Sequence, residues 1–197
     1  MNYLELSIKN VEDKCNELYK KIINEYNYDL VIFIAKGSYI IGKNLSIMNN
    51  VPLLEIYASR KGGKLKKIIK PLFKFIPKKI LIKLRSKEMK SSYHENNDER
   101  SVFFDEKMFS KYINCKKILL VDDSIDSGNS MILTKKEIQA FFKNSELKLA
   151  VFNVMKKSMI RADYFLYEDM MICGPWSNDS KENRKHDKMY KEWKRGN

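Results

Sequence analysis

Histidine is scarce in this 197-residue chain. There are two, His94 and His186, too few for a multi-histidine metal site. The three cysteines, Cys15, Cys115 and Cys173, are far apart and make no metal-type pair, so they read as buried, reduced thiols. No apolar run approaches the roughly 18 to 20 residues that span a bilayer. The opening residues, Met1 to Leu6, lack the basic start and apolar stretch of a secretory signal. The expectation is a cytoplasmic protein. Arginine is also rare, only six of 38 basic residues, yet the formal charge is +13. That excess can attract an anionic nucleotide, nucleic acid or membrane surface, or simply reflect a composition rich in Lys, Asn and Ile.

With 44% hydrophobic residues the chain can build one packed domain. Val11, Cys15, Leu18, Tyr19, Ile22 and Ile23 recur at helical spacing and predict a helix over 10–25. The β-branched run from Asp29 to Ala35 predicts a buried strand, Lys36-Gly37-Ser38 a turn, 39–48 a helix and 53–57 a second strand. After residue 105 the rhythm returns. The run 117–121 is the clearest strand, followed by a loop over 122–129, a helix over 130–142 and a strand over 147–155. Short strands are expected at 164–167 and 170–173. Strands alternating with helices predict an α/β fold with a mostly parallel central sheet flanked by helices. The domain is expected to span 1–176, with 177–197 a charged tail or surface helix.

Residues 61–105 break the pattern. From Lys64 to Lys90 there are ten Lys and one Arg against one acid, Glu88, interleaved with Ile, Leu and Phe. Pro71 and Pro77 interrupt any single long helix. Three readings stay open: a basic helical hood, contact with an anionic membrane surface, or binding to nucleic acid. The last is the weakest, because the segment has many apolar residues and little Arg. The polar stretch 91–100 reads as a loop.

The chemistry concentrates after the strand 117–121. That strand carries Asp122 and Asp123 to the carboxyl edge of a sheet, where α/β proteins bind ligands. Asp126, Ser127, Gly128, Asn129 and Ser130 follow, directly before a helix. Gly128 permits a tight turn. Backbone N–H groups and the two hydroxyls can cradle a phosphate, and paired carboxylates suit ribose hydroxyls or a divalent cation.

This ten-residue stretch, Val-Asp-Asp-x-x-x-Ser-Gly-x-Ser, resembles the 5-phosphoribosyl 1-diphosphate (PRPP) signature of type I phosphoribosyltransferases, with Ser where that family usually has Thr. The resemblance implies that Asp122 and Asp123 bind the ribose hydroxyls and Mg²⁺, and that Ser127, Gly128, Asn129 and Ser130 hold the 5′-phosphate. Ile125-Asp126-Ser127-Gly128 is similar to the 6-oxopurine branch and implies Asp126 as general base. The stretch 34–42 resembles the family's pyrophosphate loop, with Lys36 for Arg and Ser38 for a second Gly. It implies Lys36, Gly37 and Arg60 as pyrophosphate contacts. The end of the chain, through Gly174-Pro175-Trp176, is similar to bacterial xanthine-guanine enzymes. It implies Lys156, with Lys157 as the competing assignment, and Met171 and Ile172 as base contacts, with Met171 standing where those enzymes stack an aromatic ring. The resemblance covers about 29–60 and 115–176 and implies a homodimer, PRPP and a small-molecule acceptor. The expected activity is phosphoribosyl transfer to a 6-oxopurine. Two rivals are a transferase of the same fold with a non-purine or membrane-linked acceptor, and a PRPP-sensing regulator that binds nucleic acid.

Overall fold

The computed structural model describes residues 2–60 and 100–196. The Lys-rich stretch 64–90 and nearly all of the polar stretch 91–100 lie outside the described residues. A six-stranded sheet runs through the domain in the order β4-β3-β2-β5-β6-β7. Its strands are β2 (Leu30–Ile34), β3 (Leu53–Arg60), β4 (Arg100–Phe103), β5 (Lys117–Ile125), β6 (Glu146–Val154) and β7 (Tyr164–Glu168). All neighbours are parallel except β4, which pairs antiparallel to β3 at the sheet edge. A second, two-stranded parallel sheet joins β1 (Asn2–Glu5) to β8 (Met170–Cys173).

The central strand β2 is buried at every position, which explains its unbroken Leu-Val-Ile-Phe-Ile run. Alternation then divides its side chains between two cores. Val31 and Phe33 face α1 (Ile8–Ile23) and α2 (Tyr39–Met48). Leu30, Ile32 and Ile34 face the opposite side, with Phe109 of α3 (Glu106–Ser110) and Met131 and Ile138 of α4 (Asn129–Phe141). Truncating a side chain as enclosed as Leu18 of α1 to Ala costs about 2–5 kcal/mol.

Two boundaries differ from the sequence expectation for identifiable reasons. Helix α1 starts at Ile8 because Ser7 caps it: its hydroxyl accepts from Asn10 N–H at 3.1 Å, while Asn10 Oδ1 accepts from Ser7 N–H. Strand β5 continues to Ile125, past the apolar run. Its ladder with β6 pairs Asp122 with Val151 and Ser124 with Asn153, so tertiary pairing extends the strand through polar residues. The expected loop over 122–129 shrinks accordingly.

The charged C-terminal stretch forms α5 (Asn183–Gly196), and it is docked rather than loose. His186 and Tyr190 are buried, and Trp193 packs edge-on to Phe33 at 5.3 Å between ring centroids. These residues share one helical face, and Lys and Arg on the other faces had masked that spacing. Strand β1 also escaped the sequence reading, since Asn-Tyr-Leu-Glu shows no apolar run. Among the described residues no helix is long and apolar enough to cross a membrane.

Candidate active site at the carboxyl edge of the sheet

Parallel strands β2, β5 and β6 end on the same side, and the loops that follow them form the site. After β5, a cavity of about 100 Å³ is lined by Asp122, Ser124, Ile125, Asp126, Ser127, Gly128, Ser130 and Met131. Gly128 precedes α4 with φ of 90°, the left-handed region where a side chain is strained. A Cβ there would also lie 2.8 Å from Ile160 Cγ2 and 2.9 Å from Ser158 Oγ. The loop after β6 therefore buttresses the turn, and Met159 N–H donates to Ser127 carbonyl at 3.1 Å. The helix start and its hydroxyls enclose a polar hollow suited to a phosphate.

Asp122 and Asp123 occupy consecutive strand positions but meet at the strand end, where Asp123 N–H donates to Asp122 Oδ1 at 2.9 Å. Burial, and then the charge of Asp123, pushes Asp122 well above the ordinary carboxylate range. Burial also raises Asp123, opposed by hydrogen bonds from Asp122, the Trp176 side chain and backbone N–H groups. Asp122 faces the cavity after β5. Asp123 faces the loop after β2: a Cβ on Gly37 would lie 3.3 Å from Asp123 Oδ1 and 3.4 Å from Trp176 Cδ1. Gly37, Asp123 and Trp176 thus converge at one corner. In the sequence Trp176 ends the stretch similar to xanthine-guanine enzymes, and its contact with the acid pair could not be read from its position.

That loop is held by Ser38, whose hydroxyl donates to Ile34 carbonyl at 2.5 Å, and by α2 behind it. Gly42 lets α2 approach β2, since a Cβ there would stand 2.8 Å from Phe33 Cβ. Lys36 is half-buried and paired to Asp187 of α5, Nζ to Oδ1 at 2.5 Å. Arg60 ends β3 opposite Arg100.

The expected base contacts lie on the β6–β8 side. Lys156 follows β6, where its N–H donates to Asp169 Oδ1 at 2.8 Å and its ammonium stands 3.6 Å from Asp169 Oδ2. Asp169 is the left-handed residue, φ 53°, between β7 and β8. Met171 is 5% exposed and pairs in register with Tyr3, whereas Ile172 is half-buried against the α1 core. Asp169 and Asp187, which hold the two lysines, went unnoticed in the sequence. Neither belongs to a local motif.

The residues fit a magnesium ion. Two adjacent carboxylates, both raised by burial and Asp122 further by the charge of Asp123, would be relieved by a cation, and carboxylate oxygen is the donor this ion prefers. Among the described residues no three His, Cys, Asp or Glu side chains cluster to hold a metal by themselves. Substrate oxygens would complete the shell, as is common for magnesium at phosphate sites.

No curated protein matches the chain significantly in sequence. Solved structures of the same architecture do. A purine phosphoribosyltransferase from Pyrococcus horikoshii is similar with a TM-score of 0.61, at 17% identity over 90% of this chain and 95% of its own. The Helicobacter pylori xanthine-guanine-hypoxanthine phosphoribosyltransferase gives 0.61, at 15% identity over 95% and 98%. A hypothetical protein from Neisseria gonorrhoeae with bound ppGpp also gives 0.61, at 17% identity over 96% of each chain. These likenesses share the fold. The model of the phosphoribosyl transferase domain matches residues 5–163, from β1 to the threshold of β7 and across both site loops, and the chain belongs to that family.

Proposed function

We propose that this phosphoribosyltransferase moves the 5-phosphoribosyl group of PRPP to a ring nitrogen of a 6-oxopurine and releases pyrophosphate. The observation that carries the reading is the cavity after β5, where the carboxylates of Asp122 and Asp126 and a hydroxyl-lined helix start share one hollow, with Asp123 bonded to Asp122 beside it. The names of two structural relatives, one acting on purines and one on xanthine, guanine and hypoxanthine, support a purine acceptor.

The chain's residues divide the work. Ser127, Gly128, Asn129 and Ser130 hold the 5′-phosphate, and Asp122 and Asp123 orient the ribose hydroxyls. The same carboxylates, with substrate oxygens, would hold magnesium, which would supply positive charge for the leaving group. As the bond from C1′ to pyrophosphate oxygen breaks, C1′ gains the purine nitrogen, and Asp126 accepts the purine proton. Lys36 and the Gly37 backbone receive the pyrophosphate, whose charge develops beside them. Lys156 faces the purine carbonyl, held in place by Asp169.

One observation favours a second acceptor class. Met171 is buried in β8, beside β1, and presents no aromatic ring, which suits a smaller or non-purine acceptor. The deciding experiment supplies PRPP and Mg²⁺ with guanine, xanthine and hypoxanthine in turn and measures pyrophosphate release, with Asp126→Asn as control. Release that requires both a purine and Asp126 supports the reading. PRPP binding without turnover on any purine rejects the purine acceptor and keeps the PRPP site.

A further inference from the structure

We infer that Asp187 of the C-terminal helix is a positioning residue for the pyrophosphate corner: it holds the Lys36 ammonium ready for the departing diphosphate. The inference rests on the reading of the β2–α2 loop as the pyrophosphate site. The two residues are 151 positions apart and join at 2.5 Å. Burial alone would raise the Asp187 carboxyl, but the Lys36 ammonium outweighs it and holds that carboxyl below its ordinary value. The Asp187 carboxyl is therefore charged at neutral pH.

The anchor for Asp187 is rigid. His186, beside it, is fully buried, with its ring 6.2 Å from that of Tyr39 and 6.4 Å from that of Trp176. Tyr190 and Trp193 continue the same face and pack on Tyr39 at 5.4 and 5.5 Å. Tyr39 is the first residue of α2, immediately after the loop. Lower on the helix, Tyr190 bonds to Glu55, and Lys194 pairs with Glu55 at 3.0 Å. Helix α5 is thus fixed against β2, β3 and the start of α2, and Asp187 is fixed with it.

A free lysine side chain has large rotamer freedom, which an anion must overcome on binding. Here one of the ammonium's three donors is committed to Asp187 and two remain for phosphate oxygens. The contact orders the side chain beforehand, and a lysine that receives a mobile, highly charged product is where such ordering has most effect.

The test titrates the full-length protein with PRPP and with inorganic pyrophosphate, each with Mg²⁺, by calorimetry, alongside thermal melts. Expected is a loss of about tenfold in affinity for both ligands in Asp187→Asn, with recovery in Asp187→Glu. Lys194→Ala, which breaks the ion pair of α5 with Glu55, should leave both affinities unchanged. In turnover, Asp187→Asn should raise KM for PRPP and leave KM for the acceptor alone. Unchanged or tighter pyrophosphate binding by a folded Asp187→Asn overturns the inference, as does equal weakening by Lys194→Ala, which would mean that helix docking alone matters. Failure of the wild type to bind either ligand overturns the phosphoribosyl reading itself, a result separate from any difference between variants.

Discussion

Between β5 and α4, the residues that line the hollow proposed for phosphate are close neighbours in the chain, all eight of them falling between positions 122 and 131. Between β2 and α2, the loop itself supplies little more than Lys36, Gly37 and Ser38. Its surroundings come from Asp123, Trp176 and Asp187, reached from three other parts of the fold. The first loop is a local device that needs a strand and a helix to present it. The second is assembled by tertiary packing and depends on the C-terminal helix. A local device tolerates little change within itself, whereas an assembled one can be weakened from far away.

The strongest test of this contrast lies inside the local loop. Asp126→Asn should lower kcat by about 10²- to 10⁴-fold, as loss of a general base does, with PRPP affinity retained; steady-state kinetics and calorimetry separate the two. Next come the glycines. Gly128→Ala meets both a left-handed φ and a Cβ contact of 2.8 Å, so PRPP affinity should fall by at least about tenfold, with about 1–3 kcal/mol lost from stability. Gly37→Ala meets only a 3.3 Å contact to a carboxylate oxygen and no unusual φ. It should cost less in both measurements; an equal loss at the two positions would break the comparison.

A smaller effect has the opposite sign. Asp122 is raised by burial and by Asp123. Its unfolded counterpart ionises near the ordinary value, so the stability this carboxyl contributes in acid is lost as pH rises through that value toward its folded pKa. Asp122→Asn should therefore melt higher than wild type at neutral pH, by about 2–4 °C for each kcal/mol of relieved repulsion, while PRPP binding falls. A lower melting temperature would refute the strained pair.

The smallest effect belongs to the assembled corner. Burial lowers the pKa of His186 below its ordinary 6.5, against the pull of Asp187 at 3.6 Å and with the push of Lys36. Below that value the unfolded chain takes a proton that the folded one resists. This group's contribution thus falls as pH drops through about 6.5, at up to about 1.4 kcal/mol per pH unit. Melts of His186→Phe in the Asp122→Asn background should flatten that slope, since the two groups act with opposite sign.

The sheet's central strands were legible because their apolar runs need no partner to be recognised, and the loop after β5 because its chemistry sits in ten consecutive residues. Helix α2 was read to the residue, as a turn with Gly37 precedes it and Asn49 and Asn50 close it. The extension of β5 to Ile125 was not legible, because only pairing with β6 holds Asp122 and Ser124 extended. The docking of α5 left a trace in the spacing of His186, Tyr190 and Trp193, but the surrounding charge outweighed it. The pairing of Lys36 with Asp187 left none: no local pattern links positions so far apart.

The small sheet of β1 and β8 has a consequence for the order in which the protein is made. Asn2–Glu5 find their partners at Met170–Cys173, and Ile8 N–H donates to Glu182 at 2.6 Å. During synthesis at about 5–20 residues per second, the first strand waits many seconds for its mate. The phosphate loop can close around β5 and β6 well before then. The corner beside Lys36 and Gly37, with Trp176 and α5, can only be completed last, so a nascent chain passes through a stage that has the hollow after β5 but lacks the corner proposed for the leaving group.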